Sequence, residues 1–393
     1  MSEWKKVTLD QMGIISRGRS KHRPRNDARL FGGSYPFIQT GDIGSAGLYV
    51  TEYSQTYNEE GLSQSKLWEK DTLCITIAAN IADTALLAFP ACFPDSIMGF
   101  TPHKNIANVK FVKYCFDVLQ KDCQQISQGT AQDNLSWKKL STILFPCPPI
   151  EIQNKIATIL SRYYSLIENY QKQIKLLEES AQRLYKEWFI DLRFPGHENT
   201  KIVDGVPEGW EKKRLIELVN VQYGYAFDGK LFNSNGNGNG NGMPILRIRN
   251  IPDGMTSDYT TEEASEDYIV HNGDIVVGMD GIFHINTWSG KNAYLVQRVC
   301  SFRPIEEGLK GFVLQAIKEP IKYYEQTLVG ATVAHLGKKH IDSIEVIVPN
   351  NKELFGSLQK MFNQRQNMLN QIRHLTEARD RLLPKLMSGE IEV

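Results

Sequence analysis

The chain has 393 residues, of which 41% are hydrophobic and 23% charged, and its 45 basic side chains balance 45 acidic ones to a formal net charge of zero. This composition is typical of a globular protein long enough to bury two or more cores. Zero net charge argues against a protein that coats nucleic acid indiscriminately, although it leaves room for a localised basic surface.

No apolar run approaches the length of a membrane span, and the N-terminus lacks the apolar segment of a secretion signal, so we expect a cytoplasmic protein. The six cysteines form no Cys-x-x-Cys pair and lie mostly among apolar residues. We interpret them as reduced core thiols rather than metal ligands. They are Cys74, Cys92, Cys115, Cys123, Cys147 and Cys300.

Residues 1–147 carry the short β-branched and apolar runs of a strand-rich domain. The predicted elements are an opening segment at Trp4–Ile14, a strand ending in a turn at Tyr35–Asp42, a buried strand at Asp71–Ile77, a helix at Ala107–Gln125 and a strand at Ser141–Phe145. A basic loop follows the opening segment and contains one acid, Asp27. Its basic residues are Arg17, Arg19, Lys21, His22, Arg23, Arg25 and Arg29.

The longest pattern runs from Ile156 to Trp188, inside a predicted helical segment at 148–195. Apolar residues recur there at alternating spacings of four and three, which is the heptad seam of a coiled coil. No glycine or proline interrupts the run, so a helix of about 50 Å is predicted, and its seam needs a partner. The seam is Ile156, Leu160, Tyr163, Ile167, Tyr170, Ile174, Leu177, Ala181, Leu184 and Trp188.

A second strand-rich region, 196–348, repeats the first about two hundred residues later. Matching segments occur in the same order in both regions. They are Trp4 and Trp210, Tyr35–Ile38 and Met243–Leu246, Lys70–Leu73 and Gly273–Val276, and Leu135 and Leu336. The repeated unit is therefore a globular domain followed by a long helix.

The second helix, in segment 349–393, is predicted to start near Lys352 and to run to about Leu383. Its seam is Leu358, Met361, Met368, Ile372, Leu375 and Leu382. Arg365 and Arg379 occupy seam positions, where polar residues cost stability but fix pairing and register. The two long helices are natural partners for each other. Antiparallel pairing would place one domain at each end of a rod about 50 Å long.

With these features in view, the chain resembles the specificity subunit of a type I restriction-modification system over essentially its whole length. Four motifs carry the resemblance, and their joint order is specific. They are Pro-Pro-Ile-Glu-x-Gln at Pro148–Gln153, Phe-Pro-Gly-His-Glu at Phe194–Glu198, Gly-Val-Pro-Glu-Gly-Trp at Gly205–Trp210, and the C-terminal run Arg379–Ile391.

The resemblance implies an α+β fold with two repeated mixed α/β target recognition domains, held apart by a pair of long antiparallel coiled-coil helices. Each domain would read one half of a bipartite, asymmetric sequence in double-stranded DNA, and the helices would fix the unread spacer. No catalysis is expected in this chain. The sequence contains no phosphate-binding Gly-x-x-x-x-Gly-Lys-Ser/Thr loop and no His-Glu-x-x-His zinc motif.

The resemblance also implies partners. Two methyltransferase subunits would methylate adenine N6 with S-adenosylmethionine, and restriction and translocase subunits would use ATP and Mg. An alternative is a coiled-coil scaffold, or an orphan or decoy paralogue that binds proteins.

The first candidate for DNA contact is the basic loop, through Arg17, Arg19, Lys21, Arg23 and Arg25, because guanidinium groups bridge phosphates or pair with guanine. A solvated charge run is the alternative.

The second candidate is the loop Gln128–Asn134, where Gln132 and Asn134 either read adenine edges or are ordinary turn residues. Its repeat counterpart, Gly330–His335, precedes Lys338 and Lys339.

Further candidates are Thr40 in the first domain and its repeat region in the second, which holds Arg247, Arg249 and Asn250 near Tyr223 and Tyr225. Arg247 and Arg249 alternate with apolar residues, so exposed strand positions without a DNA role are the alternative. The Asn-Gly repeat at Asn235–Gly242 either orders on DNA or is a tolerated mobile insertion between two strands.

Overall fold

A computed structural model describes residues 4–78, 81–127, 135, 137–234, 240–328 and 334–393. The chain divides into two units. Unit 1 runs to Glu168 and also includes Leu375–Val393, and unit 2 is Asn169–His374. Each long helix therefore contributes residues to both units.

The first part of the chain forms eleven strands among its described residues: β1 (Lys6–Val7), β2 (Gly13–Arg17), β3 (Phe31–Phe37), β4 (Tyr49–Val50), β5 (Gln55–Tyr57), β6 (Leu67–Trp68), β7 (Leu73–Thr76), β8 (Thr84–Leu87), β9 (Ala91–Cys92), β10 (Ile97–Pro102) and β11 (Phe145–Pro146). Its helices are α1 (Leu9–Met12), α2 (Thr40–Ser45), α3 (Glu59–Ser63), α4 (Val109–Ser127), α5 (Trp137–Leu140) and the first long helix, α6 (Ile150–Tyr185).

Unit 1 is built on two sheets. One has the order β2-β10-β7-β8-β4 and the other β5-β3-β9-β6, while β1 pairs with β11. All four residues of β7 are buried, since α4 and the long helices cover one face of its sheet and an apolar cluster around Trp68 and Phe93 covers the other.

The second part continues with β12 (Ile202–Val203), β13 (Val206–Pro207), β14 (Trp210–Arg214), β15 (Val219–Tyr223), β16 (Phe232–Asn233), β17 (Met243–Leu246), β18 (Tyr259–Thr260), β19 (Ile269–Val270), β20 (Ile275–Gly278), β21 (Ile285–Thr287), β22 (Ala293–Leu295), β23 (Val299–Pro304) and β24 (Glu345–Pro349). Its helices are α7 (Lys310–Ala316), α8 (Lys318–Thr327), α9 (Lys338–Asp342) and the second long helix, α10 (Glu353–Ser388).

Each sheet of unit 2 shares four strands, in the same order, with a sheet of unit 1, and the edge strands β4 and β16 have no counterpart. The orders in unit 2 are β15-β23-β20-β21 and β16-β18-β17-β22-β19, and β14 pairs with β24. The parallel pair of β3 and β9, joined at Phe37 and Cys92, has its counterpart in β17 and β22, joined at Ile245 and Tyr294. The internal repeat predicted from the sequence is confirmed at the level of strand order.

Within unit 1 the two long helices run antiparallel. Lys155 Nζ of α6 donates to the main-chain oxygen of Val393, at 3.2 Å, whereas the guanidinium of Arg379 lies 4.9 Å from the centre of the Tyr164 ring. Residue numbers thus rise along α6, from Lys155 to Tyr164, while those of the contacted residues fall from Val393 to Arg379. The residues of the two helices that share the core of unit 1 are Ile156, Ala157, Leu160, Leu383, Leu386 and Met387, of which Ile156 and Leu160 are predicted seam positions.

Within unit 2 the helices are also antiparallel, because Glu178 pairs with Arg365 while the later Phe189 lies against the earlier Phe355. The end of α6 widens into a π-helical turn, Lys186–Ile190. In that turn the ring of Phe189 packs among four aromatic rings at centroid distances of 5.0 to 6.0 Å, namely those of Tyr185, Trp210, Phe312 and Phe355.

Several predicted boundaries need correction. The strand predicted at Ser141–Phe145 is wrong, since only its last residue lies in a strand. Ser141 and Thr142 instead form a turn after α5, in which their hydroxyls donate to main-chain carbonyls at 3.1 and 2.7 Å.

The strand predicted at Tyr35–Asp42 starts and ends earlier, as β3. The expected turn is the helix α2, whose start is capped because Asp42 Oδ2 accepts from Gln39 N at 2.7 Å.

The second long helix extends beyond the predicted end at Leu383. It continues through the exposed Pro384, where the missing amide removes only one hydrogen bond of the helix, and the buried Leu386 and Met387 beyond it hold the last turn against the core. Neither this helix nor any other among the described residues has the length and apolar character that crossing a bilayer requires.

The aromatic contacts of Phe189 predict a large effect of truncation. Because this ring is 2% exposed, Phe189→Ala is expected to lower the free energy of unfolding by about 3 to 5 kcal/mol, measured by urea denaturation. The neighbouring Ile190 is 60% exposed, so Ile190→Ala is the matched control and is expected to change it by less than about 0.5 kcal/mol. Equal effects of the two substitutions would contradict the packing described.

Candidate DNA interface

The basic loop of unit 1 leaves the sheet at the end of β2 and is anchored to it by its backbone. The amide of Arg19 donates to the carbonyl of Phe93 at 3.0 Å, and the carbonyl of Arg19 accepts from the Ser65 hydroxyl at 2.7 Å. Gly18 lies directly against Pro94, where a Cβ atom would meet the Pro94 carbonyl oxygen. The start of the loop is thus fixed, and its side chains extend from a rigid base.

Part of the positive charge of this loop is neutralised. Asp27 accepts from Arg29 at 2.8 Å and from His22 at 2.9 Å, and the hydrogen bond from Arg29 holds the pKa of Asp27 well below its usual range. A second acid, from outside the loop, also opposes these cations. Asp95 comes from a distant loop and pairs with Arg25 at 2.5 Å and with Arg23 at 3.8 Å.

Three cations of the loop, called the open cations below, are exposed and have no acidic partner among the described residues. They are Arg17, Arg19 and Lys21. These three side chains are therefore the part of the loop best suited to an anionic partner such as a phosphate backbone.

Thr40 and Asn250 lie in equivalent turns of the two repeats, in which Asp42 and Asn250 occupy the same capping position. Thr40 is the half-buried first residue of α2, whose cap is the bond between Asp42 and Gln39. In unit 2, Asn250 Oδ1 accepts from the amide of Arg247 at 2.9 Å and caps a 3-10 turn. Asn250 Oδ1 is therefore already engaged in a hydrogen bond within the domain.

The alternative reading, in which Arg247 and Arg249 occupy exposed strand positions, is wrong about the strand. The strand β17 ends at Leu246, and Ile248–Asn250 form the 3-10 turn because its cap closes there. Arg249 places its guanidinium on Asp258, with Nη2 2.6 Å from both carboxylate oxygens. Arg247 lies over the ring of Phe232, 5.4 Å from its centre.

Tyr223 and Tyr225 differ in accessibility. The Tyr223 hydroxyl is buried without a hydrogen-bond partner among the described residues, and burial raises its pKa to about 12. Tyr225 is exposed, and its ring contacts Phe227 at 4.8 Å and Tyr268 at 5.2 Å. Tyr225 and Phe227 follow β15, the chain position that the basic loop occupies after β2 in unit 1, whereas Tyr268 directly precedes β19.

The remaining predicted loop residues are only partly described. Gln132 and Asn134 lie outside the described residues, as do 235–239 of the Asn-Gly repeat and 329–333. Lys338 and Lys339 are exposed at the start of α9. Beside them, His335 Nδ1 lies 2.6 Å from Asp280, which also pairs with Arg298 at 3.4 Å.

Two of these features have no local signal in the sequence. Arg298 is an isolated basic residue between apolar strands, and nothing local marks it as part of a cluster with His335. Asp95, the partner of the basic loop, lies 70 residues from Arg25.

The predicted helix seam faces inward in varying degree. Ile156, Leu160, Ile174 and Leu358 are buried. Ala181 is buried as well. The other predicted seam positions are half-buried, and they are Tyr163, Ile167, Tyr170, Leu177, Leu184, Trp188, Met361, Met368, Ile372, Leu375 and Leu382.

Comparison with known proteins agrees with the repeated architecture. The family model described as the type I restriction modification DNA specificity domain matches residues 1–179 and again residues 207–373. The chain belongs to this family.

Two relatives match over nearly the whole chain. The Type I restriction enzyme MjaIX specificity subunit of Methanocaldococcus jannaschii is 26% identical over 100% of this chain and 94% of its own length. The HindI specificity subunit of Haemophilus influenzae is 24% identical over 100% of both chains. The chain is also similar in fold to the crystal structure of the S subunit from M. genitalium, with a TM-score of 0.60 and 17% identity over 98% of this chain and 96% of that one.

The contacts of Arg249 predict that it stabilises the fold. Asp258 is 6% exposed, so Arg249→Ala leaves a buried carboxylate without its donor and is expected to cost roughly 1 to 3 kcal/mol of unfolding free energy in urea. Lys338→Ala, at an exposed position with no described ion pair, is the control and should be neutral. If Arg249→Ala does not change the free energy of unfolding, the Arg249 side chain is not needed for stability and is available to a binding partner.

Proposed function

We propose that this chain is the sequence-specific DNA-binding subunit of a type I restriction-modification complex, in which each of its two recognition domains reads one half of a bipartite target. The observation that carries the proposal is the repeat: one strand order occurs twice, and each copy matches the DNA specificity domain. Residues 1–147 and 196–348 are the proposed recognition domains.

The long helices are proposed as the element that sets the unread spacer between the half-sites. Each has 36 residues, which corresponds to about 54 Å at 1.5 Å per residue. This length exceeds one turn of a DNA duplex, about 34 Å. Segments 148–195 and 349–393 are the proposed spacer segments.

Catalysis is assigned to partner subunits, because the relatives are named as specificity subunits. We expect two methyltransferase subunits that carry S-adenosylmethionine, and restriction subunits that carry ATP and Mg, acting on DNA in the cytoplasm. The repeat favours two methyltransferase subunits, since each domain with its helix offers an equivalent surface.

Methylation mapping tests the function. Cells that express this chain with the methyltransferase subunit of its own system are expected to carry N6-methyladenine in one two-part motif of fixed spacing. Cells with the methyltransferase subunit alone are the control and should lack that motif. Absence of a two-part motif in the complete system would reject DNA recognition and favour the scaffold or decoy alternative.

The open cations of the basic loop predict a change in the salt dependence of DNA binding. Replacing Arg17, Arg19 and Lys21 with alanine is expected to reduce the slope of log K against log salt by roughly 2 to 3 for the methyltransferase complex, because each phosphate contact contributes about 0.9.

The control removes Arg25 of this loop together with its ion-pair partner Asp95. Arg25→Ala combined with Asp95→Ala leaves the net charge unchanged, so its slope should equal that of the wild type. An unchanged slope in the triple variant would show that the loop does not face DNA.

A further inference from the structure

A buried cation interrupts the apolar seam of the second long helix in unit 2. Arg365 is 9% exposed, and each part of its guanidinium has a partner. Nε donates to Glu178 Oε1 of α6 at 2.5 Å. Nη1 donates to Thr287 Oγ1 at 2.6 Å, and Nη2 donates to Asn286 Oδ1 at 2.8 Å, both on β21. One side chain therefore joins α10, α6 and the sheet of the domain.

The neighbouring residue extends this network. Gln366 is 8% exposed, and its Oε1 accepts from the same Thr287 hydroxyl at 2.7 Å. Its Nε2 donates to the carbonyl of Trp288 at 2.9 Å and to Asn272 Oδ1 at 3.2 Å. One turn further along α10, Asn370 Oδ1 accepts from Asn272 Nδ2 at 2.7 Å. The helix thus follows the edge of the sheet through directed hydrogen bonds.

Stability alone does not require such a network. Well-packed apolar residues of similar volume often replace a buried ion pair without loss of stability, or with a gain, because the charges no longer have to be desolvated. Apolar contact is non-directional and tolerates sliding and rotation of the packed elements. A guanidinium that donates along three fixed directions permits one arrangement of its partners. The network therefore fixes the orientation of the sheet of unit 2 relative to the two long helices.

Unit 1 contains a junction of the same kind. Asp117 of α4 accepts from the hydroxyl of Tyr164 on α6 at 2.9 Å, and Lys113 pairs with Asp117 at 2.5 Å. Arg379 of α10 lies over the Tyr164 ring. In each repeat a polar junction connects the domain to both long helices, and each uses one of the two arginines at seam positions of α10.

We propose that Arg365 is a positioning residue that locks the recognition domain of unit 2 in one orientation on the helix pair, and thereby restricts the complex to a single spacer length. This inference rests on the proposed function, in which the helices separate the two half-sites. Without Arg365, the domain keeps its apolar contacts and the hydrogen bonds of Gln366 and Asn370 but loses the link to both helices at once, and it accepts more than one orientation.

The test uses the assembled methyltransferase complex with Arg365→Met, which keeps the volume and removes the directed bonds. Both half-sites are expected to be retained. Methylation of DNA whose spacer is one base pair longer or shorter, relative to the correct spacer, is expected to rise at least tenfold. Arg365→Lys keeps a charge for Glu178 but not the fork to β21, so it should give an intermediate increase. Gln371→Ala, an exposed position on the same helix, is the control.

A second measurement does not depend on methylation. In Arg365→Met, backbone amide exchange in β20 and β21 is expected to become at least tenfold faster, while β7 and β10 of unit 1 are unchanged. If Arg365→Met does not fold, Thr287→Val removes the shared hydroxyl with little change of shape and should give the same two results to a smaller extent.

An unaltered spacer preference together with unaltered exchange in a folded variant would overturn the proposal. Loss of methylation on all spacers with normal exchange would also overturn it, since a lock on orientation predicts relaxed rather than abolished recognition. If the wild-type complex gives no two-part motif, the proposed function fails, and the exchange measurement alone then decides whether Arg365 locks the domain.

Discussion

The architecture depends on the need to bury an apolar seam along two 36-residue helices. The domain that precedes each helix covers only part of the apolar surface of that helix. The two helices therefore pack against each other. In unit 1 this pairing places Leu383 and Leu386 beside Ile156 and Leu160. In unit 2 it places Phe355 and Leu358 beside Ala181. The apolar contacts hold the helices together, while Arg365 and Arg379 add directed contacts that restrict register.

The two repeats share a frame but differ in the chemistry of equivalent loops. After β2, unit 1 carries a loop with three open cations, Arg17, Arg19 and Lys21. After β15, unit 2 carries exposed Tyr225 with the rings of Phe227 and Tyr268. Loops vary more readily than the strands that hold them, because they bury little. Two copies of one fold therefore present different side chains at the same chain position, cations in unit 1 and aromatic rings in unit 2.

The sequence was sufficient for features that depend on local periodicity. The heptad pattern predicted both long helices to within a few residues, and matched segments revealed the repeat. Short strands were predicted less well, because turn chemistry decides their ends, as at Ser141 and Asn250. Charge pairing was beyond reach, since the partners are remote in sequence: Asp95 is 70 residues from Arg25, and Glu178 is 187 residues from Arg365. The contrast between open Arg19 and neutralised Arg25 became visible only in three dimensions.

The division of α10 between the units has a consequence for biosynthesis. The core of unit 1 includes Leu383, Leu386 and Met387, which emerge from the ribosome only after all of unit 2 has been made. At about 5 to 20 residues per second, the roughly two hundred intervening residues delay closure of that core by on the order of 10 to 40 seconds. During this interval the seam around Ile156 and Leu160 is uncovered on the nascent chain. The core of unit 1 can therefore be completed only after unit 2 has been synthesised.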